Sequence, residues 1–390
     1  MTADVTNGAA ATPAAPDPRP AADPHPPADP HPPAEPHPAP DPDEAQRAIE
    51  YCYDQGWSDG LPLVPASKPL VDAFLATTDR DPEEIIGSLQ QVGRDCTVYL
   101  AAVNAAMAGC KPEYFPVVLA AFDALMRERA ARGGGFQSTS GPAPLIVVNG
   151  PIRGELGFNT GGGAFGPGFR PNMTIPRAIG LMVRNAFGIH PHVFEQATQG
   201  VPGRWSICIA ENEEESPWEP LAANGGVTGG VSAVSVTLTR TMEFVDNRHA
   251  PNPEDVLRDF QDTISRIGSQ IFPKSSVALV LCPEHAQMFA AAGLSKADVQ
   301  NWLLERSGRT VGEFRRAGKP EVTSRRFGPP GSGSHDDEGP PRPDEEFHRI
   351  LTGPTSIPVI VAGAKNAAIS MVVRIFGEWS GSSVPIGEKK

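Results

Sequence analysis

Apolar and polar positions along this chain repeat with two periods, and the switches between them mark its elements. "DEAQRAIEYCYDQGW" predicts a short helix beginning near Glu44, followed by the Gly/Pro-punctuated loop "GWSDGLPLVP". "TVYLAAVNAAMAGC" and "PEYFPVVLAAFDALMRERAA" predict two successive helices, broken between Gly109 and Pro112. Pro112 suits a first helical turn, and Pro116 should bend or delay the second of these helices. The apolar run "APLIVVNGP" predicts a buried strand, as do "RWSICIAE" and "SAVSVTLT". Between the first two of these strands, the glycine-rich segment 159–169 leads into a helix expected from Thr174. Further on come helix "NPEDVLRDFQDTISRIG", strand "SSVALVLCP", helices "PEHAQMFAAAGL" and "KADVQNWLLERSG", and finally "SIPVIVAGAKNAA", read as strand, small-residue turn and helix.

Strands alternating with helices predict an α/β or α+β fold: a mixed sheet with flanking helices and a second, smaller α/β unit at the C-terminus. The expected organisation is a disordered tail over 1–43, a main domain over 44–245 and a C-terminal unit over 246–390. A Pro/Gly-rich polar insertion at 325–348 is expected to be mobile.

Composition changes this picture in two places. The net charge of −13 argues against nucleic acid or an anionic membrane as partner. Residues 1–43 hold seven acids and one base, so the tail supplies nearly half of that charge. The same tail has 14 prolines and offers almost no apolar surface, which predicts an extended, unpacked segment. His25, His31 and His37 recur in it every six residues, a weak metal-binding pattern without preorganisation. No apolar run has the length of a signal peptide or membrane span, which points to a soluble cytoplasmic protein.

The candidate chemistry lies in four places. In "NTGGGAFGPGFRPNMTIPRA", Asn159, Gly161, Gly162, Gly163 and Asn172 can offer polar groups and open backbone to an anion, with Arg170 and Arg177 as cationic forks. The alternative is a structural turn. Neither the dinucleotide nor the P-loop pattern is matched, and no cofactor is named. Cys110, in "AGCKP", sits where one helix ends and another begins, beside Lys111; a thiol there has a lowered pKa and can act as nucleophile or acid/base. Its alternative is a small core thiol. Cys96 lies about 20 Å away along the helix, out of reach of a shared bond or metal. Cys208 is a second catalytic candidate, while Cys52 and Cys282 read as structural.

The acidic run "AENEEESPWEPL" is the third place. Glu211 and Glu213 fall on one side of a strand end, where α/β proteins collect ligands, and can serve as general base and acid or hold a divalent cation. A solvated surface is the alternative. His190 and His192, two apart across a proline, lack zinc spacing, and no metal ligand set is assigned. In the fourth place, "DQGWSDGLPLVP", Trp57 and Asp59 form either a lid or a structural corner.

Taken together, "GWSDGLPLVP", "NAAMAGCKPEYFPVVLAA", "VNGPI", "FNTGGGAFGPGFRPNMTIPRA" and "AENEEESPWEPL" resemble a family of mostly uncharacterised bacterial proteins of UGSC or thiol-related type. The resemblance spans about residues 50–300 plus "VIVAG", and implies a shared pocket. There is no Cys-Gly-Ser-Cys dyad, and "VAGAKNAA" stands where a double-glycine turn is expected. The functional expectation is a lyase or hydrolase acting on a carboxylate- or phosphate-bearing small molecule, using Cys110 and Glu211. A carboxylate-bound metal enzyme and a non-catalytic ligand-binding protein are the alternatives; a homo-oligomer is possible.

Overall fold

The computed structural model describes residues 42–270, 273–319 and 342–387. In chain order the elements are α1 (Pro42–Asp54), α2 (Lys68–Leu75), β1 (Ile85–Leu89), β2 (Arg94–Thr97), α3 (Val98–Met107), α4 (Phe115–Arg127), α5 (Arg129–Arg132), β3 (Ala143–Asn149), α6 (Ile152–Glu155) and α7 (Arg170–Asn185). They continue with β4 (Cys208–Ala210), α8 (Leu221–Asn224), β5 (Ala233–Asp246), α9 (Pro253–Ile264), β6 (Ser276–Leu281), α10 (Pro283–Ala291), α11 (Lys296–Arg306), β7 (Gly308–Thr310), α12 (Val311–Arg316), β8 (Phe347–Arg349), β9 (Val359–Val361), β10 (Ile369–Ile375) and β11 (Val384–Pro385).

The fold is mixed α/β. One seven-stranded sheet has the order β4-β3-β5-β10-β6-β9, with β11 added beside β5. β3 and β4 run parallel, as do β6 and β9; the pairs joining them through β5 and β10 are antiparallel. The sheet curls until its two edge strands meet just beyond β4, where Asn212 N donates to Val361 O over 2.7 Å. Strand alternation then sorts the side chains into three layers. Leu145, Val147, Ile209, Val280, Ile360 and Val373 point into the concave interior. On the convex side Ile146, Val148, Val234 and Val236 pack under α3, α4 and α7. Val277, Leu279, Val359 and Val372 pack under α9, α10 and α11.

The sheet draws strands from both sides of residue 245, because β10 inserts between β5 and β6. The described residues from Ala48 onward form one compact unit, and of the other, 1–47, the described part is the opening of α1. The expected tail lies outside the described residues apart from Pro42 and Asp43, which are helical. Residues 325–341 of the expected insertion also lie outside them, whereas its end is structured: Phe347 and His348 belong to β8, paired with β7.

Several local readings need correcting. Pro116 does not bend α4 but sits in its first turn, where its missing N–H has no intrahelical partner to lose, and the α-helix expected from Pro112 begins only at Phe115, after a short helical turn at Pro112–Tyr114. The helix expected from Thr174 starts at Arg170 and carries Pro176 inside it. No helix follows "VAGAKNAA"; Ile369–Ile375 is the central strand β10. Gly180 is needed where α7 meets Trp205, since a Cβ there would lie 2.6 Å from the indole Cγ. No helix among the described residues is long and apolar enough to cross a membrane.

Candidate functional site

Helix α7 organises most of the residues singled out in the sequence. One of its faces binds the 56–62 segment as a strap. Arg177 Nε and Nη2 each donate to a different Asp59 carboxylate oxygen at 2.9 Å, and Nη2 also reaches Leu61 O and Pro62 O. Two turns on, Arg184 Nη2 donates to Gly56 O and Asn185 Nδ2 to Trp57 O. Burial alone would raise the Asp59 carboxyl, but the Arg177 hydrogen bonds and charge outweigh it and hold the group below its ordinary range. Arg177 and Asp59 therefore satisfy each other and fasten the strap. Trp57 packs edge-on against Tyr51, with ring centroids 5.8 Å apart, and is 40% exposed.

Arg170 is differently placed. It is exposed at the first position of α7, and its Nε donates to Gly109 O at 3.0 Å. Neither Nη group has a partner among the described residues. The residue before it, Phe169, gives α7 no side-chain cap, so the backbone N–H groups of the first turn are unblocked by a side chain.

The glycine-rich loop divides into a fixed half and an open half. Asn172 Oδ1 accepts from Asn159 N while its Nδ2 donates to Cys208 O, which staples the loop to β4. Asn159 Oδ1 accepts from Gly161 N, and its Nδ2 donates to Gly162 O. Gly363 N donates to Thr160 O, and a Cβ on Gly162 would lie 3.4 Å from Ala364. Asn159, Gly161, Gly162 and Asn172 are thus engaged in the fold itself. Beyond them Gly163 and Gly168 take left-handed φ of 70° and 120°, with open space where a side chain would be.

The thiols differ from expectation. All five cysteines are free and buried. Cys110 touches the same cluster, hydrogen-bonding with Thr174 and feeling the charges of Arg170 and Arg177, but burial dominates and pushes its pKa up to about 12. The expected lowering fails because the thiol is only 5% exposed and α4 does not begin at Cys110; a short helical turn at Pro112–Tyr114 intervenes. Burial raises Cys208 as well. Native protein at pH 8 is expected to resist alkylation at Cys110, with labelling appearing only on unfolding. Mass spectrometry showing Cys110 modified within minutes in folded protein would refute this placement.

The acidic run proves to be a clasp. Glu211 is fully buried. Its Oε2 accepts from Asn149 Nδ2 at 2.7 Å and from Leu221 N at 2.8 Å, and its Oε1 from Val361 N at 3.1 Å. One carboxylate therefore joins β3, α8 and β9 where the curled sheet closes. Burial raises its pKa, offset in part by the Lys296 charge and these three donors. Lys296, itself buried, donates to Glu219 O and Asn224 Oδ1. Arg153 holds the next turn: its Nη1 donates to Glu211 O at 2.6 Å, and Nη1 and Nη2 grip Glu214 at 3.0 and 2.9 Å. Glu213 accepts from Gly150 N and Asn149 Nδ2 and pairs with Arg153. Glu215 takes Gln287 and Lys365. Glu211 and Glu213 are therefore not an open carboxylate pair, while Glu214 and Glu215 face water as expected, their side chains 69% and 44% exposed despite their ion pairs.

Among the described residues, no group of three or more His, Cys, Asp or Glu side chains is placed to hold a metal ion. The structure thus gathers Cys110, Arg170, Arg177 and Asp59 around α7, and Asn159, Gly161, Gly162 and Asn172 beside β4, with Glu211 in the clasp. Sequence reasoning missed Asn149, Arg153 and Lys296. For Arg153 a signal existed, a lone cation just after a strand-ending "NGP" in a chain with an unexplained acidic run. Comparison with protein-family models, curated proteins and solved structures returned no match.

Proposed function

We propose that this protein binds a carboxylate- or phosphate-bearing small molecule at the start of α7, with Arg170 as the anchor. The carrying observation is the exposed guanidinium with both Nη groups unpartnered among the described residues, beside an uncapped 16-residue helix and the open Gly163–Gly168 turn. Leu61, Val64 and Phe169 add exposed apolar surface for the rest of the ligand. The resemblance to the UGSC-type family, with its shared pocket, agrees with this reading and rests on the motifs alone.

Binding, rather than a lyase or hydrolase step through Cys110 and Glu211, is the reading the geometry supports. Such a step needs a thiolate and a carboxylate free to move a proton. The Cys110 thiol stays protonated at neutral pH with its pKa near 12, and Glu211 is held by three donors. A metal-dependent reaction on Glu211, Glu213 and Asp59 would have to displace Asn149, Gly150 N and Arg177 from those oxygens.

Arg170→Ala is expected to weaken binding of succinate or inorganic phosphate by about 1.5–3 kcal/mol, roughly ten- to a hundred-fold, the range of a charge-assisted hydrogen bond. The melting temperature should hardly change, because the side chain is exposed. Calorimetric titration of wild type and variant decides it: equal affinities would remove Arg170 from the site.

A further inference from the structure

We propose a second binding site, for a multiply charged oxyanion such as a phosphate ester or a polycarboxylate, in the cavity lined by Arg129, Arg240 and Lys274. The cavity has a volume of about 810 Å³, with Ser275 and Ser276 on its lining and Ile375 and Phe376 as an apolar wall. That size suits an ordinary metabolite.

Local backbone geometry aims Arg240 into this space. In the β5–β10 ladder Arg374 stands opposite Thr241 and Ile375 opposite Thr239, so Arg240 is the extra residue of a β-bulge. Bulges re-aim side chains and recur beside functional sites. On its other edge, β5 pairs with β3 only as far as Thr239, opposite Ala143, so no β3 residue stands beside Arg240. The cavity lining brings Arg240 together with Arg129 of α5 and includes no residue of β3.

Charge is the second observation. Arg374, next to the bulge, is neutralised by Glu243 at 2.8 Å and donates to Thr263 O and Ile264 O. Arg240 has no such relief: its Nε is buried without a hydrogen-bond partner. Among the described residues no carboxylate lies within ion-pair distance of Arg129, Arg240 or Lys274. The one acid lining the cavity, Glu378, accepts from the Thr352 and Thr355 hydroxyls instead. Lys274 spends one proton on Arg349 O at 2.9 Å and keeps two. Burial and then the Arg374 charge lower the Arg240 pKa, and burial followed by Arg342 and Arg349 lowers that of Lys274, so the field across the cavity is positive. A half-buried guanidinium without a counter-charge is unfavourable, and a bound oxyanion would relieve it while filling all three cationic heads.

The test titrates the full chain by calorimetry with pyrophosphate and, separately, citrate at fixed ionic strength. Binding of either anion is expected, with affinity falling at least ten-fold in Arg240→Gln and in the double variant Arg129→Ala/Lys274→Ala. The double variant changes only exposed side chains, so it keeps the test valid if Arg240→Gln does not fold. Preference between the two probes assigns phosphate or polycarboxylate chemistry. In an Arg170→Ala background, where the site at α7 is already weakened, the component of binding lost with Arg240→Gln should persist, which separates the cavity from the site at α7. Absence of binding by both anions, unchanged affinity in the double variant, or loss of that component in Arg170→Ala alone would overturn the proposal.

Discussion

Glu211→Ala is expected to cost about 3–5 kcal/mol of folding stability, the range for breaking a buried, hydrogen-bonded charge. The substitution leaves Asn149 Nδ2, Leu221 N and Val361 N without their acceptor, each buried donor worth about 1–3 kcal/mol when orphaned. It also strips the buried Lys296 of the carboxylate charge that supports its ionised form. Glu211→Gln should fall between wild type and alanine: its oxygen still serves Asn149 and Leu221, while its amide nitrogen meets Val361 N as donor against donor. Urea unfolding of the three proteins measures the series. A loss below about 1 kcal/mol for the alanine variant would mean that the sheet closes without this clasp.

The second large effect is a pH dependence centred on Glu128. This residue, 2% exposed between α4 and α5, accepts from Ser380 N at 3.1 Å. Burial raises its pKa from 4.5 to about 7, against the lowering pull of Ser380 and Arg132. Below pH 4.5 the carboxyl is protonated in folded and unfolded chains alike and makes no difference. Between there and pH 7 the unfolded chain releases the proton and the folded chain does not, so folding stability falls as pH rises. The accumulated loss is about 3 kcal/mol and stays constant above pH 7. Glu128→Gln should therefore be more stable than wild type at pH 8, with the advantage gone near pH 4. If melting temperatures of the two proteins run parallel from pH 4 to 8, Glu128 is not buried as a carboxylic acid.

The sequence made the strands β3, β6 and β9 and the helices α3, α4, α9, α10 and α11 readable, because each carries a continuous apolar run or a clear helical period. It concealed the second half of β5: the apolar run stops at the consecutive polar residues Thr239, Arg240 and Thr241, and from Arg240 on the strand lies beyond the end of β3, where one edge loses its partner. β10 was hidden behind "AGAKNAA", whose small residues read as a turn leading into a helix, while the closing contact between Asn212 and Val361 depends on residues 149 apart, beyond any local pattern. For the site, the residue types were legible and their partners were not. Arg170 and Arg177 read alike, yet Asp59 claims one and leaves the other exposed. The acidic run looked like solvated surface or an open pair because Arg153 and Lys296, which hold it, sit 58 and more residues away in sequence.

The position of β10 also shapes how this chain can be made. A ribosome delivers β5 and β6 long before Ile369–Ile375, the strand that separates them and satisfies an edge of each. Until residue 375 emerges, both edges expose unpaired N–H and C=O groups on apolar strands, the template on which nascent chains join one another. Premature termination anywhere before β10 would yield not a smaller folded protein but a sticky half-sheet, and rapid synthesis at high concentration should favour aggregates over native yield.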